Sequence, residues 1–307
     1  MDKYSHVWVI ASARSAILEL TNGAATMGDT VSLLLAGDRE IGWNPLNADT
    51  VYYYGQTGAT QSFLSYIPAM VELIKEHRPS LILSDLSKNG RIAAAYAAAA
   101  LGTNVMTDVT EIWVEDGKVT SKRMVYGGSA FKTEQAKDVA VLCVGAGVFE
   151  AKEPTPAGEI IDIPDAAAPG IVLKEKRDKV TQSVNLGAAK RVISVGRGLG
   201  SEEKLVYIQN FADAIDAEIG CSRPVAEEEK WLPKERYIGV SGCMIKPEVY
   251  VAAGISGQVQ HMVGINQSGT IIAINKDKSA PIFSQCDYGI VGDLVTVLSE
   301  LEKKFRG

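Results

Sequence analysis

Arg191-Val192-Ile193-Ser194-Val195-Gly196-Arg197-Gly198-Leu199-Gly200 is the segment that decides the fold of the second half of the chain. Its first five residues form a short apolar run that predicts a buried strand, and the glycines after it predict a tight turn. A helical pattern follows from Ser201, the expected N-cap, to about Ile215. Strand, glycine-rich turn and helix in this order predict a parallel α/β domain.

Two later apolar runs end in turns of the same kind. Glu218–Cys221 ends in Ser222-Arg223-Pro224, and Val249–Ala253 ends in Gly254-Ile255-Ser256-Gly257, which opens a short helix. In an open parallel sheet these turns meet at the carboxyl edge, where ligands bind. Backbone N–H groups in glycine-rich turns and at helix starts favour phosphate. The second half therefore predicts a nucleotide site.

The first half alternates apolar strands with helical patterns, so we expect a second parallel sheet there. Val109–Val114 and Lys118–Tyr126 flank Glu115-Asp116-Gly117, which predicts an antiparallel hairpin added to this sheet. Four prolines interrupt the pattern between residues 150 and 169, and a charged stretch follows. We expect an N-terminal α/β domain over residues 1–187, with a proline-rich linker from about 150, and a C-terminal domain over 188–307. Each domain is expected to have a mostly parallel Rossmann-like sheet, doubly wound in the second.

Composition excludes several classes of protein. The chain has 307 residues, of which 46% are hydrophobic and 22% charged, which is typical of a globular protein. Its 31 basic and 37 acidic residues leave a net charge of −6, which disfavours nucleic acid and anionic membranes as partners. No apolar run is long enough for membrane insertion, and the four cysteines contain no C-x-x-C pair. Without a recognisable signal or transit segment, we expect a cytoplasmic protein.

An NAD site of the usual dinucleotide type fits poorly. Gly196-x-Gly198 is followed by Ser201 where a third glycine is expected, and the next strand ends without the acidic residue that holds a ribose. Arg223 at that strand end suits an anionic group, and the simpler alternative is a salt bridge from Arg223 to Glu227 or Glu228. An NAD-dependent dehydrogenase is thus a disfavoured alternative, beside a module that binds an adenine nucleotide without redox chemistry.

The sequence contains no recognisable catalytic or metal-binding motif. His6 and His77 are expected to be structural, whereas His261 lies in the helix that Gly257 opens. The pattern leaves open whether His261 faces a ligand or packs in the interior. We expect no catalytic residue and no metal site. Nucleotide binding without a nucleophile is typical of a cofactor carrier, in which the cofactor supplies the chemistry.

The ordered motifs of residues 190–307 resemble those of the electron transfer flavoprotein alpha subunit, in the branch associated with nitrogen fixation and carnitine metabolism. The resemblance implies that the second domain of this chain binds FAD. It also implies that the chain works as a heterodimer with a beta subunit. It would carry electrons from acyl-CoA-dehydrogenase-type flavoenzymes to a quinone reductase or another redox partner, through a stabilised flavin semiquinone. Such a chain is a carrier and turns over no substrate alone. The matching segments are Val195–Gly200, Cys221–Pro224, Arg236–Gly242, Lys246–Tyr250, Gly254–His261, Ile274–Asp277, Ala280–Phe283 and Asp287–Asp293.

The resemblance also implies the residues that contact FAD. Arg223 would lie against the isoalloxazine ring, the Ser241 hydroxyl near flavin N5, and His261 near the O2 edge. Many relatives carry Gln-Thr where this chain has Val240-Ser241, so the hydroxyl is kept and the amide is lost. In chain order, the implied contacts are Arg197, Ser222 and Arg223, then Ile238, Gly239, Val240 and Ser241 along the ring, then Ser256, Gly257, Gln258, Val259, Gln260 and His261 at the helix start, and Asn275, Asp293 and Leu294 at the ribityl-ADP portion.

Overall fold

The computed structural model describes residues 3–36, 46–54, 63–136, 138–163, 174–175 and 186–306. The chain divides into two compact units. The first comprises residues 1–125 and 131–178, and the second comprises residues 126–130 and 179–307. Within the described ranges, no helix is both long and apolar enough to cross a membrane.

The first unit is built on a nine-stranded sheet in the order β7-β6-β5-β8-β4-β1-β2-β3-β9. The six neighbouring strands β8-β4-β1-β2-β3-β9 pair in parallel. In contrast, β5 and β6 form an antiparallel hairpin, as the sequence predicts. Its elements are β1 (Tyr4–Ile10), α1 (Arg14–Met27), β2 (Gly28–Ala36), β3 (Thr50–Tyr54), α2 (Ile67–His77), β4 (Leu81–Asp85), α3 (Lys88–Leu101), β5 (Val105–Glu115), β6 (Lys118–Val125), β7 (Ala130–Gln135), β8 (Ala140–Val144) and β9 (Glu159–Ile163).

The central strands of this sheet are apolar along their length because both of their faces are covered. Val7 and Leu83 pack in one buried cluster with α1, while Trp8 and Ile82 pack in another with the alanines of α3. Successive residues of one strand therefore pack in the layers on opposite sides of the sheet, because their side chains point to alternate faces. This arrangement confirms the predicted α/β class.

Two strands of the first unit, β7 and β9, were not predicted. β9 lies inside the segment expected to be a proline-rich linker, and it pairs in parallel with β3. Its sequence, Glu-Ile-Ile-Asp-Ile, is short and lies among prolines, which hides the strand signal. Residues 164–173 and 176–185 of the expected linker lie outside the described residues, so the boundary at 187 and the linker itself stay predictions.

The second unit is built on a five-stranded parallel sheet in the order β11-β10-β12-β13-β14. This order places the topological switch point between β10 and β12, which is where doubly wound sheets bind ligands. Its elements are β10 (Arg191–Val195), α4 (Leu205–Ala214), β11 (Glu218–Cys221), α5 (Arg223–Glu227), β12 (Val249–Ala253), α6 (Val259–Met262), β13 (Thr270–Asn275), β14 (Tyr288–Val291) and α7 (Leu294–Arg306).

Two local expectations in this unit are wrong. The Ser201 side chain makes no capping hydrogen bond, because a separate 3-10 turn over Glu202–Lys204 precedes α4. The sequence also predicts a helix from Ile290 onward, but Tyr288–Val291 is a strand and α7 begins only at Leu294. Gly292 and Asp293 separate the two elements, and this break is easily missed in an otherwise apolar stretch.

The turns after β10 and β12 contact each other through their backbones. Gly196 N–H donates to the Ala253 carbonyl at 2.8 Å, and Gly198 N–H donates to the Gly254 carbonyl at 3.0 Å. A Cβ atom on Gly254, whose φ is +67°, would lie 2.7 Å from Cδ1 of Leu294 and 2.9 Å from the Gly198 backbone. These glycines are therefore required by chain packing at the switch point, and the N–H of Gly198 is not free for a ligand.

Gly254→Ala is expected to lower the free energy of unfolding of the second unit by about 2–5 kcal/mol. The loss combines about 1–2 kcal/mol for a left-handed alanine with about 1–3 kcal/mol for overpacking. Gly200→Ala is the matched control, since Gly200 also has a positive φ (+91°) but a Cβ there would lie no closer than 3.7 Å to the flexible end of the Lys204 side chain. Urea unfolding should show the larger loss for Gly254→Ala, and equal losses would contradict the packing argument.

Candidate cofactor-binding site

The residues implied as FAD contacts lie on turns that leave the carboxyl edge of the second unit's sheet. Arg197 follows β10, Ser222 and Arg223 follow β11, residues 256–261 follow β12, and Asn275 ends β13. Asp293 and Leu294 come directly after β14, at the start of α7. The exposed members are Arg197, Arg223, Val240, Ser241, Ser256, Gln258, Val259, Gln260 and Asp293, and the buried members are Ser222, Ile238, Gly239, Gly257, His261, Asn275 and Leu294.

The turn over residues 237–243 continues the sheet edge beside β11. Ile238 N–H donates to the Cys221 carbonyl at 3.0 Å, and Cys243 N–H donates back to the Tyr237 carbonyl at 2.8 Å. The sequence predicts a regular strand over 237–240, but the structure has only two isolated β-bridges there, Cys221–Tyr237 and Ile238–Cys243. Because Ile238 is fully buried, it anchors this turn to the domain interior.

Val240 and Ser241 lie at the exposed tip of the same turn. Val240 N–H donates to the Gln260 carbonyl at 2.9 Å, which ties the turn to α6. The Ser241 hydroxyl lies 3.3 Å from the phenolic hydroxyl of Tyr237, and either group can donate the hydrogen bond between them. The tip therefore presents one apolar side chain and one hydroxyl from a backbone that is held at both ends.

The segment after β12 carries a run of unpaired backbone donors. Among the described residues, no acceptor is present for the N–H groups of five consecutive residues, Ser256 to Gln260. Gly257 has a φ of +86° and packs against the Ile282 backbone, whose N–H donates to the Ser256 carbonyl at 3.0 Å. Unpaired N–H groups in one turn create a region of positive potential that favours an anion.

Both arginines at this edge have carboxylate partners on α5 or directly after it. Arg223 Nε lies 2.7 Å from Oε2 of Glu227, and Arg197 contacts Glu228 at 3.3 Å. The Arg223 guanidinium holds the pKa of Glu227 below its usual value. The salt bridge from Arg223 to Glu227 is therefore present, and the Arg223 side chain remains 63% exposed and accessible to a ligand.

His261 packs in the interior and keeps one ring nitrogen unpaired. Its Nε2 lies 2.7 Å from the Tyr250 hydroxyl, whereas its buried Nδ1 has no hydrogen-bond partner among the described residues. Burial lowers the pKa of His261 to about 4, so the ring is neutral at pH 7. A buried orphan nitrogen costs free energy unless a partner arrives, which makes Nδ1 a candidate ligand contact.

Asn275, Asp293 and Leu294 hold the loops around this edge. The Asn275 amide donates to the Ile255 carbonyl at 3.0 Å. Asp293 accepts from the Thr296 N–H at 3.1 Å at the start of α7, which lowers the pKa of the Asp293 carboxyl. Leu294 is buried against Gly254. Each of the three therefore has a structural task that the sequence did not predict.

Tyr250 and Glu227 are the residues of this region that the sequence analysis underrated. A tyrosine within a buried strand was itself a signal, because a buried phenolic hydroxyl requires a partner. Among the described residues, no group of histidine, cysteine and carboxylate side chains is arranged to hold a metal ion. Unpaired N–H groups, two arginines and an orphan imidazole nitrogen instead fit a ligand with phosphates and carbonyl oxygens.

Comparison with protein families gives two matches along the chain. The profile described as the electron transfer flavoprotein domain matches residues 7–168. The profile described as the electron transfer flavoprotein FAD-binding domain matches residues 185–266, which include the turns after β10, β11 and β12.

Curated relatives agree over nearly the whole length. Protein FixB of Escherichia coli strain 55989 is 41% identical over 308 residues, covering 98% of each chain. Protein FixB of Shigella dysenteriae serotype 1 has the same identity and coverage, and Protein FixB of Escherichia coli O1:K1 is 40% identical over 309 residues with 98% of each chain covered. The chain therefore belongs to the electron transfer flavoprotein family, as an alpha-type member similar to the FixB proteins.

Proposed function

We propose that this chain binds FAD along the carboxyl edge of its second sheet and acts as the alpha subunit of a heterodimer with a beta subunit. In this role it carries electrons from an acyl-CoA-dehydrogenase-type flavoenzyme to a quinone reductase or another redox partner. The observation that carries the proposal is the run of unpaired N–H groups from Ser256 to Gln260, on the same sheet edge as Arg197 and Arg223. Family membership and the match to the FAD-binding profile support it.

The phosphate-bearing portion of FAD is assigned to the turns after β10, β12, β13 and β14. The N–H groups of Ser256–Gln260 donate to its anionic oxygens, and Arg197 adds a positive charge. Asn275, Asp293 and Leu294 fix the walls of this part of the site, since each of them holds a loop end through a hydrogen bond or buried contact.

The isoalloxazine ring is assigned to the turn over 238–241, with Ser222 and Arg223 at the neighbouring strand end. When bound, FAD supplies reversible uptake and release of electrons, which the protein tunes by charge and hydrogen bonding. Ser241 would offer its hydroxyl to N5 from the exposed tip, and the apolar side chain of Val240 would offer no donor there. Arg223 and His261 Nδ1 supply the donors for the opposite, carbonyl edge.

Arg223 can turn toward this ligand without leaving Glu227 uncompensated. Glu227 Oε1 also lies 3.6 Å from Nζ of Lys234, so its charge keeps a cationic partner. Both arginine–carboxylate pairs are exposed, and such pairs exchange at little cost. The salt bridge is therefore compatible with Arg223 as a ligand contact.

The proposal is tested by the visible spectrum of the full chain, purified alone and co-expressed with a beta-type partner. Bound flavin absorption, with FAD released on denaturation and higher loading in the co-expressed complex, is expected. A colourless protein that takes up no added FAD in either preparation would overturn the proposal. ADP binding by such a protein would favour the non-redox nucleotide module, and NAD binding would favour the dehydrogenase.

Arg223→Ala is expected to leave FAD bound while lowering the fraction of one-electron-reduced FAD during dithionite titration by roughly threefold to tenfold, the scale of one lost charge-assisted contact. Glu227→Gln is the matched control, because it breaks the same ion pair and keeps the cation. It should leave this fraction unchanged or raise it. Equal changes in both variants would show that Arg223 acts only through Glu227.

A further inference from the structure

Tyr250 and His261 form a buried polar pair beneath the carboxyl edge. Tyr250 is the second residue of β12 and is fully buried, and its hydroxyl is 2.7 Å from Nε2 of His261. Burial raises the pKa of the Tyr250 hydroxyl, so the phenol keeps its proton. The pair therefore contains one hydroxyl proton and one neutral imidazole, and the question is which group donates.

The relative acidity of the two groups favours donation from tyrosine. A phenolic O–H is more acidic than a neutral imidazole N–H, and the imidazole nitrogen is the stronger base, so O–H···N is the better arrangement. The Ile238 backbone raises the pKa of His261, the effect of a carbonyl beside the ring. Nε2 faces the Tyr250 hydroxyl, and Nδ1 makes no hydrogen bond to any described residue.

A neutral histidine has two tautomers, and the hydrogen bond at one nitrogen decides whether the other carries a proton. If Nε2 accepts from Tyr250, the proton must be on Nδ1. The buried Nδ1 then becomes a donor without a protein partner among the described residues. Such a donor is complementary to a carbonyl oxygen of a ligand and not to a ring N–H.

We propose that Tyr250 is a positioning residue that donates to His261 Nε2, fixes the ring proton on Nδ1, and so presents a buried N–H to a carbonyl oxygen of the flavin ring. The ligand part of this inference rests on the proposed function. The tautomer part concerns only the two side chains and holds for the protein without FAD. Tyr250 touches no ligand itself in this arrangement and acts through His261.

Neutrality of His261 has a separate consequence for stability. The unfolded ring gains a proton below about pH 6.5, whereas the folded ring resists protonation until about pH 4. The groups that face it are the Tyr250 hydroxyl and the Ile238 backbone, and no charged side chain of the described residues contributes to the shift. Because the folded pKa is the lower one, stability is fully present above about pH 6.5 and is lost as the pH falls.

Between pH 7.5 and 5.5, this single group should raise the unfolding equilibrium constant about tenfold. Urea unfolding of the wild type and of His261→Gln at both pH values isolates the effect, since the other titrating groups are common to the two proteins. For each protein, the unfolding equilibrium constant at pH 5.5 is divided by that at pH 7.5. This ratio should be about tenfold larger for the wild type than for the variant. Equal ratios would show that His261 is not buried as a neutral ring.

The proposal itself is tested by nitrogen NMR of the full chain with ¹⁵N-labelled histidine rings, without FAD and at pH 7. His261→Gln identifies the signals of this ring among the three histidines. The expected result is a protonated Nδ1 and a hydrogen-bonded, unprotonated Nε2. A proton on Nε2 in the wild type would overturn the proposal without any further variant.

Tyr250→Phe removes only the hydroxyl, and we expect the single tautomer of His261 to become a mixture. Tyr288→Phe is the control, because Tyr288 is exposed on β14 and its hydroxyl has no partner among the described residues. An unchanged tautomer in folded Tyr250→Phe would overturn the positioning role.

The loaded complex separates this inference from the proposed function. With FAD bound, Tyr250→Phe should shift the flavin reduction potential relative to both the wild type and Tyr288→Phe. If no FAD binds to the wild type, the proposed function fails while the tautomer result stands. If FAD binds and the potential of Tyr250→Phe is unchanged, the proposed function stands and the donor role of His261 fails.

Discussion

The candidate site depends on the close approach of two turns at the switch point of the second sheet. Gly198 donates to the Gly254 carbonyl, and neither position has room for a side chain. This contact fixes where the chain leaves β12, and hence where the unpaired N–H groups of Ser256–Gln260 lie. Glycine here is a packing requirement, whereas phosphate binding falls to the residues that follow it.

Exposed and buried residues have different tasks at this edge. The exposed arginines, hydroxyls and N–H groups are available to a ligand, while Ile238, Asn275 and Leu294 fix the turns from below. His261 belongs to both groups, because one of its ring nitrogens is held by the interior and the other is unpaired. Supporting contacts of this kind keep a binding geometry within the narrow limits that redox tuning requires.

Much of this could be predicted from the sequence, and the failures have physical causes. The α/β class, the hairpin over β5 and β6 and the meeting of strand ends at one edge follow from apolar periodicity and glycine placement. β7 was missed because its sequence, Ala-Phe-Lys-Thr-Glu-Gln, is largely polar. β9 and β14 were missed because each is short and lies among prolines or next to a helix. Periodicity also placed His261 near the site but could not show Tyr250 beside it, since that contact joins two elements through the fold. The glycine turns suggested phosphate contacts, yet Gly198 N–H is used by the protein itself.

The order of the supporting residues along the chain also bears on how the protein matures. The turn after β10 is completed by Gly254, and Gly254 is in turn covered by Leu294 of the last helix. Contacts between residues so far apart in sequence form late, because loop closure must precede them. During synthesis, β10 therefore leaves the ribosome well before the residues that complete its turn. This edge of the sheet is consequently complete only after the C-terminal helix has been made and has packed against Gly254.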